Sequence, residues 1–138
     1  MMGPADFAGD WQIARRIEDR LASAEGRFDG VARLTTDGPD GLRYSESGLL
    51  RLAGGPPMQA TRTYLWRFEP TRVAVSFDDG RPFHSFVADG AGPGTDHPCG
   101  ADYYQVAYDL TGWPIWTTVW TVTGPRKNYA MHSRYQRA

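Results

Sequence analysis

The stretch MQATRTYLWRF, residues 58–68, decides the fold, because one face of the extended chain is apolar apart from a single charge. The residues on that face are Met58, Ala60, Arg62, Tyr64, Trp66 and Phe68. Successive side chains of a strand point to opposite faces of its sheet, so a period of two predicts a half-buried antiparallel strand. We expect this face to line an interior.

The same alternation continues on both sides of this stretch and is interrupted by turn signals such as Asp37-Gly38 and Gly54-Gly55-Pro56-Pro57. The predicted strands are residues 11–19, 26–36, 42–52, 58–68, 72–78, 82–88, 103–110, 115–123 and 128–137. Helical periodicity is limited to a short turn at residues 4–8, and residues 89–101 form the longest irregular stretch. The pattern predicts one all-β domain over residues 1–138, with about eight to ten strands in a barrel or a sandwich.

Composition limits the cellular compartment and the kinds of binding partner that we expect for this protein. The 138 residues carry a formal net charge of -1 and no basic stripe, so we expect neither nucleic-acid nor membrane binding. The first twenty residues lack an apolar segment of the kind that directs secretion. The single cysteine, Cys99, cannot form an internal disulfide. These features predict a cytoplasmic protein.

The segment Phe7-Ala8-Gly9-Asp10-Trp11 resembles the Gly-x-Trp motif that opens the first strand of lipocalins and their calycin relatives. The resemblance implies an antiparallel up-and-down lipocalin-like (calycin) barrel, with a helical turn before the motif and the Trp closing one end. In that family a basic residue from the last strands commonly packs across the Trp, an interaction worth ~0.5–2 kcal/mol. Of Arg126, Lys127, Arg134 and Arg137, we expect Arg134 or Arg126 to do so.

Nearly the whole chain also resembles a family of short proteins described only as a domain of unknown function. The matching segments are Gly9-x-Trp11, Gly80-Arg81-Pro82-Phe83-His84-x-Phe86, residues 97–108 and Gly124-Pro125-Arg126-Lys127-x-Tyr129. This resemblance implies a barrel and transfers no activity.

Three charged residues, Arg15, Glu46 and Arg62, fall on the apolar faces of predicted strands. A charge inside a barrel is costly unless it is paired or hydrogen-bonded. One interpretation is that Arg15 or Arg62 receives a carboxylate or phenolate ligand, oriented by Tyr44 and Tyr64. The other is an Arg–Glu network that closes a barrel end, or a bulge that turns one of these residues outward.

His84 is the best single candidate for acid–base chemistry, because histidine titrates near neutral pH and Pro82 fixes the backbone before it. The alternative is that His84 is a core residue with a hydrogen-bonded imidazole and no chemical role. For an enzyme we expect His84 to act as acid or base with Tyr104 as its proton partner. His97 would lie beside His84, and Asp102 would orient one of the two histidines. Too few ligands accompany His97 and Cys99 for a metal site, so we predict no metal and no cofactor.

The leading functional prediction is a barrel that binds a small apolar or aromatic molecule, with a carboxylate as one option. Aromatic walls and a few inward polar groups carry the prediction. Trp116 and Trp120 share a strand face and could stack on a flat ligand, although Trp at such positions more often belongs to the core. The predicted ligand-binding residues are Arg15, Glu46, Arg62, Tyr64, Trp66, Arg81, His84, Phe86, His97, Tyr104, Trp120 and Arg126. One alternative is a cofactor-free enzyme for proton transfer, decarboxylation, isomerisation or hydrolysis, with His84, Tyr104 and Asp102 as catalytic residues. Another is an interaction module that meets a protein or its own copy as a homodimer.

Overall fold

Eleven antiparallel strands and one four-residue helix make up the computed structural model, which describes all residues from Met1 to Ala138. The helix is α1 (Pro4–Phe7). The strands are β1 (Gly9–Asp19), β2 (Ala24–Thr36), β3 (Gly41–Leu52), β4 (Met58–Phe68), β5 (Val73–Phe77), β6 (Pro82–Phe86), β7 (Ala91–Pro93), β8 (His97–Cys99), β9 (Asp102–Asp109), β10 (Trp116–Gly124) and β11 (Lys127–Arg137). The single helix is far too short and polar to cross a membrane.

The strands form a nearly closed barrel, which confirms both the all-β domain predicted from alternation and the barrel implied by the resemblance. Strands β1 to β6 follow one another as neighbours, and β11 pairs with β1 to continue the sheet through β10 to β9. Between β6 and β9 the barrel is bridged by the chain around Gly94 and Thr95. Gly94 donates its backbone N–H to Val106 O at 2.7 Å, and Thr95 donates to Ser85 O at 2.8 Å. We call this bridge the seam.

All nine predicted strands are present, with ends within two residues of the prediction. The stretch 89–101, which was expected to be irregular, instead contains the three-residue strands β7 and β8, both paired with β9. These pieces are rich in Gly and Pro, so their extended form depends on the neighbouring strand and not on local propensity. Met58 was expected to face inward, but at the first position of β4 it is exposed at the rim.

One end of the barrel is filled by aromatic rings around Trp11. Phe7 and Trp11 are fully buried, and both contact Trp113 and Trp116 with ring centroids 4.9–5.7 Å apart. The indole N–H of Trp11 donates to Phe7 O at 2.8 Å, which ties α1 to the first strand. This end, which we call the closed end, is solid core.

Arg137 is the basic residue that packs on Trp11, so the expectation of Arg134 or Arg126 was wrong. Its guanidinium carbon lies 3.9 Å from the ring centroid, and its nitrogens donate to two backbone carbonyls of the α1 region at 2.7 and 2.8 Å. Register explains the choice, because Arg137 is the cross-strand partner of Trp11. Arg134 has the opposite parity on β11 and is exposed, whereas Arg126 lies in the turn at the other end of that strand.

Candidate functional site

A buried ion pair between Arg15 of β1 and Glu46 of β3 occupies the middle of the barrel. Their contacts are bidentate, with Nη1–Oε2 at 2.7 Å and Nη2–Oε1 at 3.0 Å, and each residue is only 5% exposed. Arg15 Nε also donates to Ser133 Oγ at 2.6 Å. Two planar groups joined by parallel hydrogen bonds form a strong, specific pair, which offsets much of the cost of desolvating both charges.

Two tyrosines complete this network. Tyr44 Oη donates to Glu46 Oε1 at 2.6 Å and accepts from Tyr135 Oη at 2.8 Å. Burial alone would raise the pKa of Glu46, but the hydrogen bonds and charge of Arg15 outweigh it and hold that pKa below its usual value. Burial also raises the pKa of Tyr44 well above its usual value. At neutral pH the network therefore contains an ionised pair and neutral phenols, and its donors already have partners.

Arg62 differs from Arg15 in having no counter-ion. It lies directly across β3–β4 from Glu46, but that carboxylate is bonded to Arg15, and Arg62 forms no ion pair. The Arg62 guanidinium packs over the ring of Trp120 at 5.3 Å. Among the arginines, Arg62 alone is neither exposed nor ion-paired. A half-buried positive charge of this kind has hydrogen bonds available for an anion.

Arg62 opens onto a cavity of about 470 Å³ at the end of the barrel opposite Trp11, which we call the mouth cavity. Its walls are Arg62, Tyr64, Phe77, Arg81, Pro82, Phe83, His97, Pro98, Cys99, Tyr104, Trp120 and Tyr129. Aromatic rings dominate this set, and its cations are the two guanidinium groups of Arg62 and Arg81. The cavity thus combines flat apolar surfaces with positive charge.

A second, much smaller cavity of about 20 Å³ lies deeper in the barrel, and we call it the inner chamber. Its lining residues are Tyr44, Glu46, Tyr64, Trp66, Val75, Phe83, His84, Tyr108, Trp116, Thr118, Trp120 and Tyr135. Tyr64, Phe83 and Trp120 line both cavities, with ring centroids 5.3–6.1 Å from one another. These three rings, which we call the aromatic triad, separate the mouth cavity from the inner chamber.

His84 is buried and uses Tyr108, not Tyr104, as its partner. His84 Nε2 and Tyr108 Oη are 2.6 Å apart, while Nδ1 is buried without a hydrogen bond. The ring of Phe83 lies beside both His84 and the expected partner Tyr104. Its centroid is 4.4 Å from that of His84 and 6.0 Å from that of Tyr104. Burial, with a smaller contribution from His97, lowers the pKa of His84 to about 4. The imidazole is therefore neutral at neutral pH.

The proposed catalytic set does not come together. Asp102 orients neither histidine, because its carboxylate pairs with Lys127 Nζ at 3.0 Å. Lys127 also approaches Tyr104 Oη at 3.4 Å, and its pKa is raised above the usual value by these hydrogen bonds. His97 also lies against the Phe83 ring, with centroids 5.1 Å apart, and no hydrogen bond joins it to His84. No three His, Cys, Asp or Glu side chains are grouped so that they could hold a metal ion.

The residues predicted from the sequence to bind a ligand lie in the two cavities, in the core and in one exposed turn. Six of the predicted ligand-binding residues line the mouth cavity: Arg62, Tyr64, Arg81, His97, Tyr104 and Trp120. Glu46, Trp66 and His84 line the inner chamber. Phe86 stacks on Tyr108 at 3.8 Å near the seam, and Arg126 lies in an exposed turn away from both cavities.

Sequence reasoning missed several lining residues of the two cavities, among them Phe83 of the aromatic triad and three that strand parity could have found. Tyr129 and Phe77 line the mouth cavity, and Thr118 lines the inner chamber. Strand parity could have found all three, because each lies two residues from an inward-facing neighbour on its own strand.

Taken together, the barrel, its central charge network and its aromatic open end define a class of small antiparallel β-barrel proteins with an internal polar layer. Residues 7–137 match the family of unknown function DUF6314, and the chain belongs to that family. This confirms the expected membership of a family without an assigned function. No curated protein matches the sequence.

Proposed function

We propose that the protein binds one small, flat, carboxylated aromatic molecule in the mouth cavity. The observation that carries the proposal is Arg62, a half-buried guanidinium without a counter-ion at the base of an aromatic cavity. A carboxylate would accept two parallel hydrogen bonds from that guanidinium and would neutralise its charge where water is partly excluded.

The other cations near the mouth favour Arg62 as the anchor. Arg81 Nε donates to Asp79 Oδ2 at 2.7 Å, and Lys127 pairs with Asp102 at 3.0 Å. Both charges are thus already compensated by the protein. A ligand carboxylate gains most from the cation that has no internal partner.

The walls of the mouth cavity support an aromatic ligand. Phe83, Tyr104 and Trp120 offer ring faces and edges around it, and a volume of about 470 Å³ is within the usual range for small-molecule sites. Kinship with the lipocalins belongs to the same proposal and rests on the Gly9-x-Trp11 motif and on Arg137 over Trp11.

The enzyme alternative has less support. His84 is hydrogen-bonded to Tyr108, whereas Tyr104 and Asp102 both contact Lys127, so the three residues do not form one acid–base set. We therefore keep binding as the conclusion.

Isothermal titration with benzoate and with its uncharged analogue benzamide tests the role of Arg62. Benzoate should bind, and benzamide should bind at least about tenfold more weakly, because a charge-assisted hydrogen bond contributes more than a neutral one. Arg62→Gln should remove that preference. The matched control is Arg67→Gln, which changes an exposed arginine on the outer face of the same strand and should leave both affinities unchanged. Equal binding of benzoate and benzamide to the unaltered protein would contradict the proposal.

Native mass spectrometry of protein purified from its own source gives an independent test. A co-purifying mass that disappears on Arg62→Gln and persists on Arg67→Gln would identify the natural ligand. A retained ligand in Arg62→Gln would show that this guanidinium does not hold it.

A further inference from the structure

We infer that the inner chamber is a second subsite, which receives a neutral hydroxyl or carbonyl oxygen from the far end of the ligand that Arg62 anchors. The inference rests on the proposed function and makes it more specific. It implies a ligand with two polar ends: a carboxylate at the mouth and a single hydrogen-bonding oxygen beyond the aromatic triad.

Thr118 carries the argument. Its side chain is 3% exposed, lines the inner chamber, and has no hydrogen-bond partner for Oγ1. The other buried polar residues all have at least one side-chain hydrogen bond; they are Arg15, Glu46, His84, Ser85 and Ser133. A buried hydroxyl without a partner bears the full cost of its desolvation, so such a group is unusual unless a ligand or water reaches it.

A second orphan group borders the same chamber. Trp116 precedes Thr118 by two residues on β10, so both side chains are on the inward face. The indole Nε1 of Trp116 is also buried without a partner. Thr118 can donate or accept and Trp116 can only donate, so an oxygen atom is the ligand group that could satisfy both.

The size and charge of the chamber decide which end of the ligand enters. A volume of about 20 Å³ admits a group the size of one water molecule, which is too small for a carboxylate. Glu46, ionised and bonded to Arg15, forms part of the wall and would repel a second anion. The carboxylate therefore belongs with Arg62, and the neutral oxygen belongs with Thr118.

The two subsites are separated by about one ring. Trp120, under the Arg62 guanidinium, and Thr118 are two residues apart on β10, which corresponds to roughly 7 Å along the strand. The aromatic triad lies between the subsites with ring centroids only 5.3–6.1 Å apart, so the ligand ring can pass among Tyr64, Phe83 and Trp120 only if these side chains move apart on binding. A benzene ring with para substituents has polar ends pointing in opposite directions, as this arrangement requires.

Titration of ¹⁵N-labelled protein with benzoate, 4-hydroxybenzoate and 2-hydroxybenzoate tests the inference. We expect 4-hydroxybenzoate to bind about five- to tenfold more tightly than benzoate, which is the gain from one added hydrogen bond. The 2-hydroxy isomer holds its hydroxyl beside the carboxylate and should show no such gain. The indole N–H signal of Trp116 should shift with the 4-hydroxy compound alone, whereas that of Trp120 should shift with all three.

The variants assign the gain to one hydroxyl. Thr118→Val keeps the side-chain shape and should abolish the preference for 4-hydroxybenzoate while leaving the benzoate affinity unchanged. Thr118→Ser should retain the preference. Thr117→Val, at the adjacent position with opposite parity, is the matched control and should behave as the unaltered protein.

The possible failures are distinct. Binding of benzoate without a gain for the 4-hydroxy isomer would overturn the inner subsite, leaving a chamber that holds only water, and would keep the mouth site. A gain that survives Thr118→Val would overturn the role of Thr118. No binding of any of the three compounds would count against both proposals. If Thr118→Val does not fold, the comparison of isomers and the Trp116 signal still decide.

Discussion

Arg15 on β1 and Arg62 on β4 both point into the barrel, yet their surroundings are opposite. Arg15 is buried and donates to Glu46 and Ser133 through all of its guanidinium nitrogens. Arg62 is half-buried, forms no ion pair, and contacts the face of Trp120 instead. The first charge is neutralised by the protein, and the second, which forms no ion pair, is the one that we propose binds a ligand.

The difference lies in which strands supply the acceptors. Glu46 is opposite Arg62 in register, but its carboxylate turns to Arg15 across the barrel, where Ser133 and Tyr44 add further hydrogen bonds. One carboxylate cannot serve two guanidinium groups with bidentate geometry. The barrel interior is thus divided into a central layer held together by its own charges and a mouth with an excess positive charge.

The largest loss of stability is expected when Arg15 is left, like Arg62, without a counter-ion. Glu46→Gln leaves Arg15 buried without an anion, and breaking a buried pair from one side costs about 3–5 kcal/mol in the free energy of unfolding. Urea denaturation followed by Trp fluorescence measures it. Glu18→Gln, which removes an exposed partner of Arg16, is the control and should cost less than about 1 kcal/mol. A loss below about 1 kcal/mol for Glu46→Gln would mean that the central layer contributes little to stability.

Acid should lower the stability of the fold through His84 before it affects the Arg15–Glu46 ion pair. Burial lowers the pKa of His84 to about 4 in the folded protein, from an ordinary value near 6.5. The unfolded chain therefore binds more protons between these values, so stability is complete above about pH 6.5 and falls as pH decreases toward 4. Between pH 7 and pH 5 the expected loss is about 2 kcal/mol. Glu46, whose pKa is lowered, stays ionised in this range.

Urea titrations at pH 7 and pH 5 check this effect. His84→Gln should flatten the pH dependence, while His132→Gln, at a half-exposed position beside Glu18, should keep it. An unaltered protein equally stable at both pH values would place the His84 pKa near its ordinary value.

Arg137 is a third arginine for this comparison, and we expect it to stabilise the fold although it has no counter-ion. Arg137 stacks on Trp11 at 3.9 Å and donates to backbone carbonyls of Asp6 and Ala8. Arg137→Ala should lower the free energy of unfolding by about 1–2 kcal/mol. Arg134→Ala, on the opposite face of β11, should change it by less than about 0.5 kcal/mol. Similar values for the two variants would show that the stacked position gives no advantage.

The fold could be predicted from the sequence because strand alternation is a local property. It placed Arg15, Glu46 and Arg62 on inward faces before any contact was known. The sequence offered an Arg–Glu network as one interpretation, but it could not say which arginine pairs with Glu46, since Arg15 and Glu46 lie on β1 and β3, which are separated by β2. Pairing depends on side chains meeting across the interior, and no local pattern records that.

The errors have the same origin. Tyr104 and Tyr108 share a face of β9, and only the irregular register between β5 and β6 and the position of the seam bring Tyr108 to His84. Parity alone would have excluded Arg134 from the inward face and favoured Arg137. Six of the twelve residues that line the mouth cavity were anticipated, and four of these lie on long strands. The orphan hydroxyl of Thr118 could be recognised only once its neighbours were known.

The smallest expected change in stability comes from Arg62 itself. Arg62→Met replaces an uncompensated half-buried charge by an apolar side chain of similar length that can still cover Trp120. The cost of desolvating the charge disappears, so the free energy of unfolding should stay within about 0.5 kcal/mol of the original or rise. Affinity for benzoate should nevertheless fall about tenfold, as for Arg62→Gln. Urea denaturation and isothermal titration on the same preparation measure both, and Arg67→Met is the control. A loss of stability as large as that of Glu46→Gln would instead show that Arg62 has a stabilising partner inside the protein and belongs to the structural network.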